Sequence, residues 1–301
     1  MTPPGFRLMG IVNVTPDSFS DGGGFLQADA AIEHGRSLVA QGAQIVDVGG
    51  ESTRPGAEPV TAEEELGRVR AVVEGLAAAG TGAQISIDTS KALVARAALD
   101  AGASLVNDVT ALRGDPQMAA LVADSGAECC LTHMRGEPRT MQRDPRYDDV
   151  VDEVKAFLAS RLELAVREGV REERVLLDPG IGFGKRDEHN LALIRRLDEI
   201  VALGRPVVIG TSRKGFIGRV AGAPGGADRL AGTLATNVLA LERGASVFRV
   251  HDVAPAREAL AVAAATLGER WTASSRATTP TSSTTRRVGT TSRPPRRSQS
   301  R

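Results

Sequence analysis

Gly82-Ala83-Gln84-Ile85-Ser86-Ile87-Asp88, GAQISID, is the stretch that decides the fold. A helical segment ends on a glycine, which adopts the left-handed backbone of a helix C-terminus without steric cost. A short apolar run follows and stops at a polar residue. The unit recurs as GAQIVD at 42–47, GASLVND at 102–108, GAECCLTH at 126–133 and GASVFRVH at 244–251. Two looser copies run from Gly169 to Asp178 and from Gly204 through Pro206 to Ser212. With Leu8–Asn13 at the start, the chain contains eight candidate strands.

Between the strands, residues 26–41, 61–79, 90–101, 115–125, 149–168, 187–203, 228–243 and 253–269 carry Ala, Leu and Val at helical spacing. Thr61 with Glu64 forms a capping-box pattern, and Asp115-Pro116 places a cap before a first-turn proline. Eight strand–helix units predict an α/β chain folded as a (β/α)8 TIM barrel. An open doubly wound sheet is the alternative. The even repeat and the lack of a Gly-x-Gly-x-x-Gly turn after the first strand count against it. Domain boundaries of 1–272 for the barrel and 273–301 for a disordered tail follow from composition. The tail is Thr, Ser, Arg and Pro with almost nothing apolar.

The 301 residues carry a formal net charge of zero. Seven arginines and no acid lie in 273–301, so the barrel itself is acidic, which argues against nucleic-acid binding. No run is apolar enough to span a membrane and no signal peptide opens the chain, so a cytoplasmic protein is expected. Cys129 and Cys130 are adjacent in a strand and point to opposite faces, which argues against a bridge between them. Buried thiols of a reducing compartment are expected.

In such a barrel the strand C-termini converge on one rim, where active sites lie. That rim is predicted to hold Asn13, Asp47, Asp88, Asn107 with Asp108, His133, Asp178, Thr211 with Ser212, and Arg249 with His251. Asp88, Asn107, Asp178 and Lys214 supply carboxylates, an amide and an ammonium, the mixture a flat heteroaromatic with amino and carbonyl edges requires. Thr53, Arg54, Arg249 and His251 are donors suited to phosphate oxygens. Asn13 can add one oxygen to a Mg²⁺ that takes its other ligands from phosphate and water. Residues 8–24, LMGIVNVTPDSFSDGGG, and 51–56, ESTRPG, read as two lids. The glycine-rich turn DPGIGFGK at 178–185 and the basic TSRKG at 211–215 follow the sixth and seventh strands.

The blocks MGIVNVTPDSFSDGG, GGESTRPGAEPV, ISIDTSK, LVNDV, THMRG, DPGIGFGK, GTSRKGFIG and RVHDV, in this order, resemble dihydropteroate synthase from about residue 8 to residue 270. The resemblance implies a (β/α)8 homodimer of folate synthesis. It would join 4-aminobenzoate to (7,8-dihydropterin-6-yl)methyl diphosphate, giving 7,8-dihydropteroate and diphosphate. By position, Asp88, Asn107, Asp178 and Lys214 would hold the pterin, with Met134 and Phe183 lining its pocket. Thr53, Arg249 and His251 would hold the diphosphate, and Asn13 the magnesium. Phe19, Asp21 and Arg54 on the two lids would form the 4-aminobenzoate pocket with Ser212 and Arg213. Phe19, Asp21, Arg54 and Lys214 would take part in the chemistry. The competing expectations are a methyl-tetrahydrofolate-dependent methyltransferase and a pterin-binding barrel without synthase activity. The former needs no diphosphate donors, and the latter would lack the lid residues.

Overall fold

The computed structural model describes residues 5–15, 24–54, 56–222 and 229–268. The tail expected at 273–301 lies outside them, as do Phe19 and Asp21 of the first lid.

Eight parallel strands form the sheet: β1 Arg7–Asn13, β2 Ile45–Gly49, β3 Gln84–Asp88, β4 Leu105–Asp108, β5 Glu128–Thr132, β6 Val175–Asp178, β7 Val208–Ile209 and β8 Val247–Val250. Their order is β6-β5-β4-β3-β2-β1-β8-β7. The remaining seam between β6 and β7 is joined by a parallel bridge between Leu177 and Val207, with Leu177 N–H donating to the Pro206 carbonyl at 3.0 Å. The expected barrel is therefore present, and the open sheet is not. The seventh strand is shorter than the expected 206–212. Pro206 has no N–H to give the ladder, and Thr211 turns outward, where its hydroxyl donates to Asn237 Oδ1 at 3.0 Å.

Helices α1 Gly24–Gln41, α2 Ala62–Ala78, α3 Ala92–Asp100, α4 Met118–Ser125, α5 Val150–Arg167, α6 Asp187–Arg195, α7 Leu197–Val201, α8 Gly215–Val220, α9 Leu230–Glu242 and α10 Val253–Thr266 alternate with the strands. The Gly-Ala repeat has a backbone cause. Gly42, Gly102 and Gly244 all have positive φ. The next N–H, of Ala43, Ala103 and Ala245, reaches back to the carbonyls of Leu38, Ala98 and Ala240. That is the Schellman closure of a helix end, and each strand starts from it. Thr61 caps α2 as expected, its hydroxyl accepting from Glu64 N–H at 3.2 Å.

Two helix expectations differ from the structure. The segment 187–203 is broken at Arg196, whose φ of −112° and ψ of 30° leave the helical region. The Arg196 guanidinium bonds Glu199 and Asp149 there. Buried Leu193, Ile194, Leu197 and Ile200 keep helical spacing straight through the break, so periodicity cannot reveal it. A short extra helix, α8, opens directly after Lys214.

The core has two compartments. Met9, Ile45, Leu105, Cys130, Leu176, Val208 and Val247 fill the lower barrel lumen. A larger shell, with Cys129 in it, packs between sheet and helices. Both cysteines are free and buried, on opposite faces of β5 as the strand period requires. Among the described residues no helix is long and apolar enough to cross a membrane.

Candidate active site

Register aligns the rim. Asn13 on β1 sits opposite Gly49, Gly49 opposite Asp88, and Asp88 opposite Asn107. Asp178 ends β6 opposite Thr132. A Cβ on Gly49 would lie 3.4 Å from Asp88 Cβ, in van der Waals contact with that side chain.

Arg249 crosses the lumen from β8. Its Nε donates to Asp47 Oδ2 at 2.6 Å and its Nη2 to Asp88 Oδ2 at 2.7 Å. Asp47 is fully buried and also accepts from Ser86 Oγ at 2.6 Å and Asn107 Nδ2 at 3.1 Å. Asp47 is thus not a strand-terminal residue, as the sequence suggested. Strand β2 continues to Gly49, and Asp47 is two residues beyond the lumen-facing Ile45, on the same side. The cation assigned to phosphate and the carboxylate assigned to the pterin ring share one network.

Across the mouth, Asp178 Oδ1 accepts from Gly180 N–H at 2.7 Å. The Lys214 ammonium bonds the Ile181 carbonyl and sits 4.6 Å from the centroid of the Phe183 ring. A Cβ on Gly210 would be 3.9 Å from both Lys214 Nζ and Arg249 Cβ, so the Lys214 ammonium and the base of the Arg249 side chain flank one glycine. Met134, buried beside the end of β5, offers its carbonyl to Arg113. Ser212 Oγ and His251 Nδ1 are 2.9 Å apart, and Ser212 Oγ also accepts from His251 N–H at 3.1 Å.

Burial dominates the electrostatics. It raises the Asp88 carboxyl to about 7, with Arg249 opposing the rise and Asp47 adding to it. Burial raises Asp178 too, against the pull of Lys214. Lys214 falls to about 8 through burial, with Asp178 opposing. For Arg249 burial works downward, but the carboxylates of Asp47 and Asp88 outweigh it and hold the guanidinium charged. His251 is pushed down to about 4 by burial and then by Arg249, so it is neutral at pH 7.

Several rim residues serve the fold instead. Asn107 faces the lumen, whereas the side chain of its neighbour Asp108 accepts from Thr110 N–H and Leu112 N–H and shapes the next turn. Thr211 is bound to α9 through Asn237 and Thr236. His133 is buried against Phe157 and Lys185. Arg213, by contrast, stays exposed at the rim, where it makes a two-point pair with Asp252 at 2.9 and 2.5 Å. Neighbouring residues of one strand or turn face opposite ways, and a list of polar types does not show which.

The second lid is anchored at its base. Glu51 Oε1 accepts from Val60 N–H at 2.9 Å and closes the 51–60 loop on itself. Lys91 bridges Glu51 at 3.0 Å and the wholly buried Glu65 at 2.6 Å. Farther out, Gly56 N–H donates to the Pro138 carbonyl at 3.1 Å. Half-buried Thr53 and exposed Arg54 lie between these ties, and the Arg54 charge is felt at His251.

Among the described residues no group of three or more His, Cys, Asp or Glu is placed to cage a metal. Asn13 ends β1 at the rim with one amide oxygen to offer, and the carboxylates Asp47 and Asp88 are engaged by Arg249. That donor set fits an ion delivered with a phosphate group, not one held by the protein alone.

Residues 9–251 match the family described as pterin binding enzyme. The chain is 46% identical over 246 residues to a dihydropteroate synthase of Synechocystis, covering 82% of this chain and 85% of that protein. The chain belongs to the dihydropteroate synthase family. Identity to the Escherichia coli dihydropteroate synthase is 45% over 264 residues, 88% of this chain and 93% of that one. Among solved structures, a Xanthomonas albilineans dihydropteroate synthase with 4-aminobenzoic acid superposes with a TM-score of 0.81 at 47% identity, covering 87% of this chain and 93% of that chain. The same organism's enzyme in complex with 7,8-dihydropteroate gives a TM-score of 0.79 at 44% identity, over 89% of this chain and 95% of that one.

The sequence places Asp47 at the rim without a role, although a carboxylate inside a continuous apolar strand must have a buried partner. Lys185 escapes a reading of motifs, because a lysine after a glycine-rich turn reads as solvated.

Proposed function

We propose that this barrel mouth condenses (7,8-dihydropterin-6-yl)methyl diphosphate with 4-aminobenzoate, releasing 7,8-dihydropteroate and diphosphate. The observation that carries the reading is the meeting of Asp88, Asn107, Asp178, Lys214 and Arg249 around one opening. The family and the 4-aminobenzoic acid and 7,8-dihydropteroate complexes of the Xanthomonas relative support it.

The roles follow from donor and acceptor type. Asp178 accepts from the pterin amino group and ring N–H, and Lys214 donates to a ring nitrogen or the carbonyl oxygen. Asp88 and Asn107 complete the edge of the pterin, with Phe183 against its face and Met134 beneath. Arg249, His251 and Thr53 donate to the diphosphate oxygens. Neutral His251 binds as a hydrogen-bonding imidazole, and a phosphate dianion beside it draws a proton onto the ring. Asn13 would hold a Mg²⁺ arriving with the diphosphate, and that ion supplies Lewis-acid stabilisation of the departing charge.

In the reaction the bond between the pterin methylene carbon and the diphosphate oxygen breaks, and its electron pair leaves with the diphosphate. The donors around that group stabilise the charge as it develops. The amine nitrogen of 4-aminobenzoate forms the new bond to the methylene carbon and loses one proton to water or phosphate. An aniline nitrogen is nucleophilic when neutral, so no strong general base is required. Phe19 and Asp21 shelter the cationic methylene, and Arg54 with Ser212 and Arg213 receives the 4-aminobenzoate carboxylate side. Mg²⁺ dependence, a homodimer and a cytoplasmic location belong to the same reading.

Diphosphate release measured with both substrates tests it. Release that requires the pterin diphosphate, 4-aminobenzoate and Mg²⁺ together is expected. Methyl transfer from a methyl-tetrahydrofolate, or pterin binding without turnover, overturns it.

A further inference from the structure

We infer that Lys185 is a positioning residue of the pterin pocket, holding the 179–184 turn in the shape that presents Asp178 and Phe183. The inference rests on the pterin reading above. Lys185 closes the turn in sequence yet is only 1% exposed, among the largest fully buried side chains of the described residues. Its Nζ lies 2.9 Å from the Gly180 carbonyl, 3.0 Å from that of Phe183, 2.8 Å from His133 Nδ1 and 3.3 Å from the His133 carbonyl. Burial lowers the Lys185 amine well below its ordinary value, with the Asp178 charge opposing, and a buried amine still needs hydrogen-bond partners. Here the partners come from the turn and from the end of β5, and among the described residues no carboxylate bonds it directly. Folding the turn around Nζ is therefore how the buried amine is satisfied.

The consequence reaches the pocket in two places. Gly180 gives its carbonyl to Lys185 and its N–H to Asp178 Oδ1, so one residue links the buried amine to the pterin carboxylate. Phe183 gives its carbonyl to Lys185 while its ring lies under the Lys214 ammonium. The seat is tight. A Cβ on Gly180 would lie 1.9 Å from the His133 carbonyl oxygen, in a backbone with φ of 68°. His133 is held neutral, pushed down to about 2 by burial and then by Lys185, and its Nδ1 shares a hydrogen bond with Lys185 Nζ. Lys185 touches no reacting atom and acts through the turn alone.

The test uses the full chain, with Lys185→Met and His133→Phe. The methionine keeps the length and loses the donors. The phenylalanine keeps a ring against Phe157 and loses one of the acceptors. Binding is read with the fluorescent probe pterin-6-carboxylate, and KM is read separately for the pterin diphosphate and for 4-aminobenzoate. Lys185→Met is expected to weaken probe binding and raise the pterin-diphosphate KM by ten-fold or more. The 4-aminobenzoate KM should stay within two-fold. His133→Phe should show the same one-sided change at about three-fold, and the double variant should be no worse than Lys185→Met. If Lys185→Met gives no folded protein, His133→Phe decides by the same split. Equal losses for both substrates, or unchanged pterin binding in a folded variant, overturn the inference. Failure of the unsubstituted protein to bind the probe would instead overturn the pterin reading.

Discussion

Arg249 Nε lies 2.6 Å from Asp47 Oδ2, joining the last strand of the barrel to the second through an ion pair whose carboxylate has no solvent contact. The same guanidinium holds Asp88 at 2.7 Å. Removing one partner of a buried pair leaves an uncompensated charge, at a cost of about 3–5 kcal/mol. Arg249→Met should therefore lower unfolding stability by that order as well as weaken diphosphate binding. Denaturant unfolding of the variant measures the first effect, and the pterin-diphosphate KM the second.

Asp88 adds a pH signature. Its carboxyl is raised from 3.8 to about 7 by burial, against Arg249. Between these values the folded chain keeps a proton that the unfolded chain has released. By linkage, stability from this group is lost as pH rises from about 4 to about 7. Asp88→Asn cannot titrate, so unfolding free energy relative to the unsubstituted protein should move in favour of the variant across that window. Unfolding curves at pH 4.5, 5.5 and 6.5 read the trend, whatever constant offset the lost ion pair introduces.

Lys214 sets an alkaline limb. Burial lowers its ammonium from 10.5 to about 8. Charge on Lys214 is lost as pH rises through about 8, so kcat/KM for the pterin diphosphate should fall there. Lys214→Arg should move the fall to higher pH, because a guanidinium stays protonated. Asp178→Asn should move it lower, because Asp178 supports the charged form. A pH–rate profile of each protein reads the shift, and coincident profiles for all three would exclude Lys214 as the titrating group.

Lys91 anchors the second lid through Glu51 and Glu65. Glu65 is wholly buried, and its Oε1 already lacks a hydrogen-bond partner among the described residues. Lys91→Met should cost about 3–5 kcal/mol of stability. The substitution also frees Glu51, which closes the loop onto Val60, so the KM for 4-aminobenzoate should rise. Thermal unfolding and substrate titration check the two halves.

The thiols should be inert. Burial pushes Cys129 up to about 12 and Cys130 well above its ordinary value. Ellman's reagent at pH 8 is expected to label neither in the folded protein and both in denaturant.

By itself the sequence determined the elements and their meeting point. Helix ends, strand starts and alternation are local properties. Gly42-Ala43 or Gly102-Ala103 closes a helix by its own backbone geometry, and a run such as Gln84–Asp88 declares its period within five residues. Eight such units leave a barrel as the consistent closure, which places Asn13, Asp88, Asn107 and Asp178 at one end. Tertiary structure decided which of the polar residues work together. Asn107 and Asp108 are neighbours with opposite fates, since one faces the lumen and the other shapes a turn. Asp47 belongs to the site through Arg249, 202 positions later in the chain. Lys185, solvated on any local reading, is buried because the backbone at 133 and the turn at 179–184 converge on it. These pairings depend on strand register and on how the sheet closes. Both are set by the sum of many weak packing contacts, and no single stretch of residues encodes them.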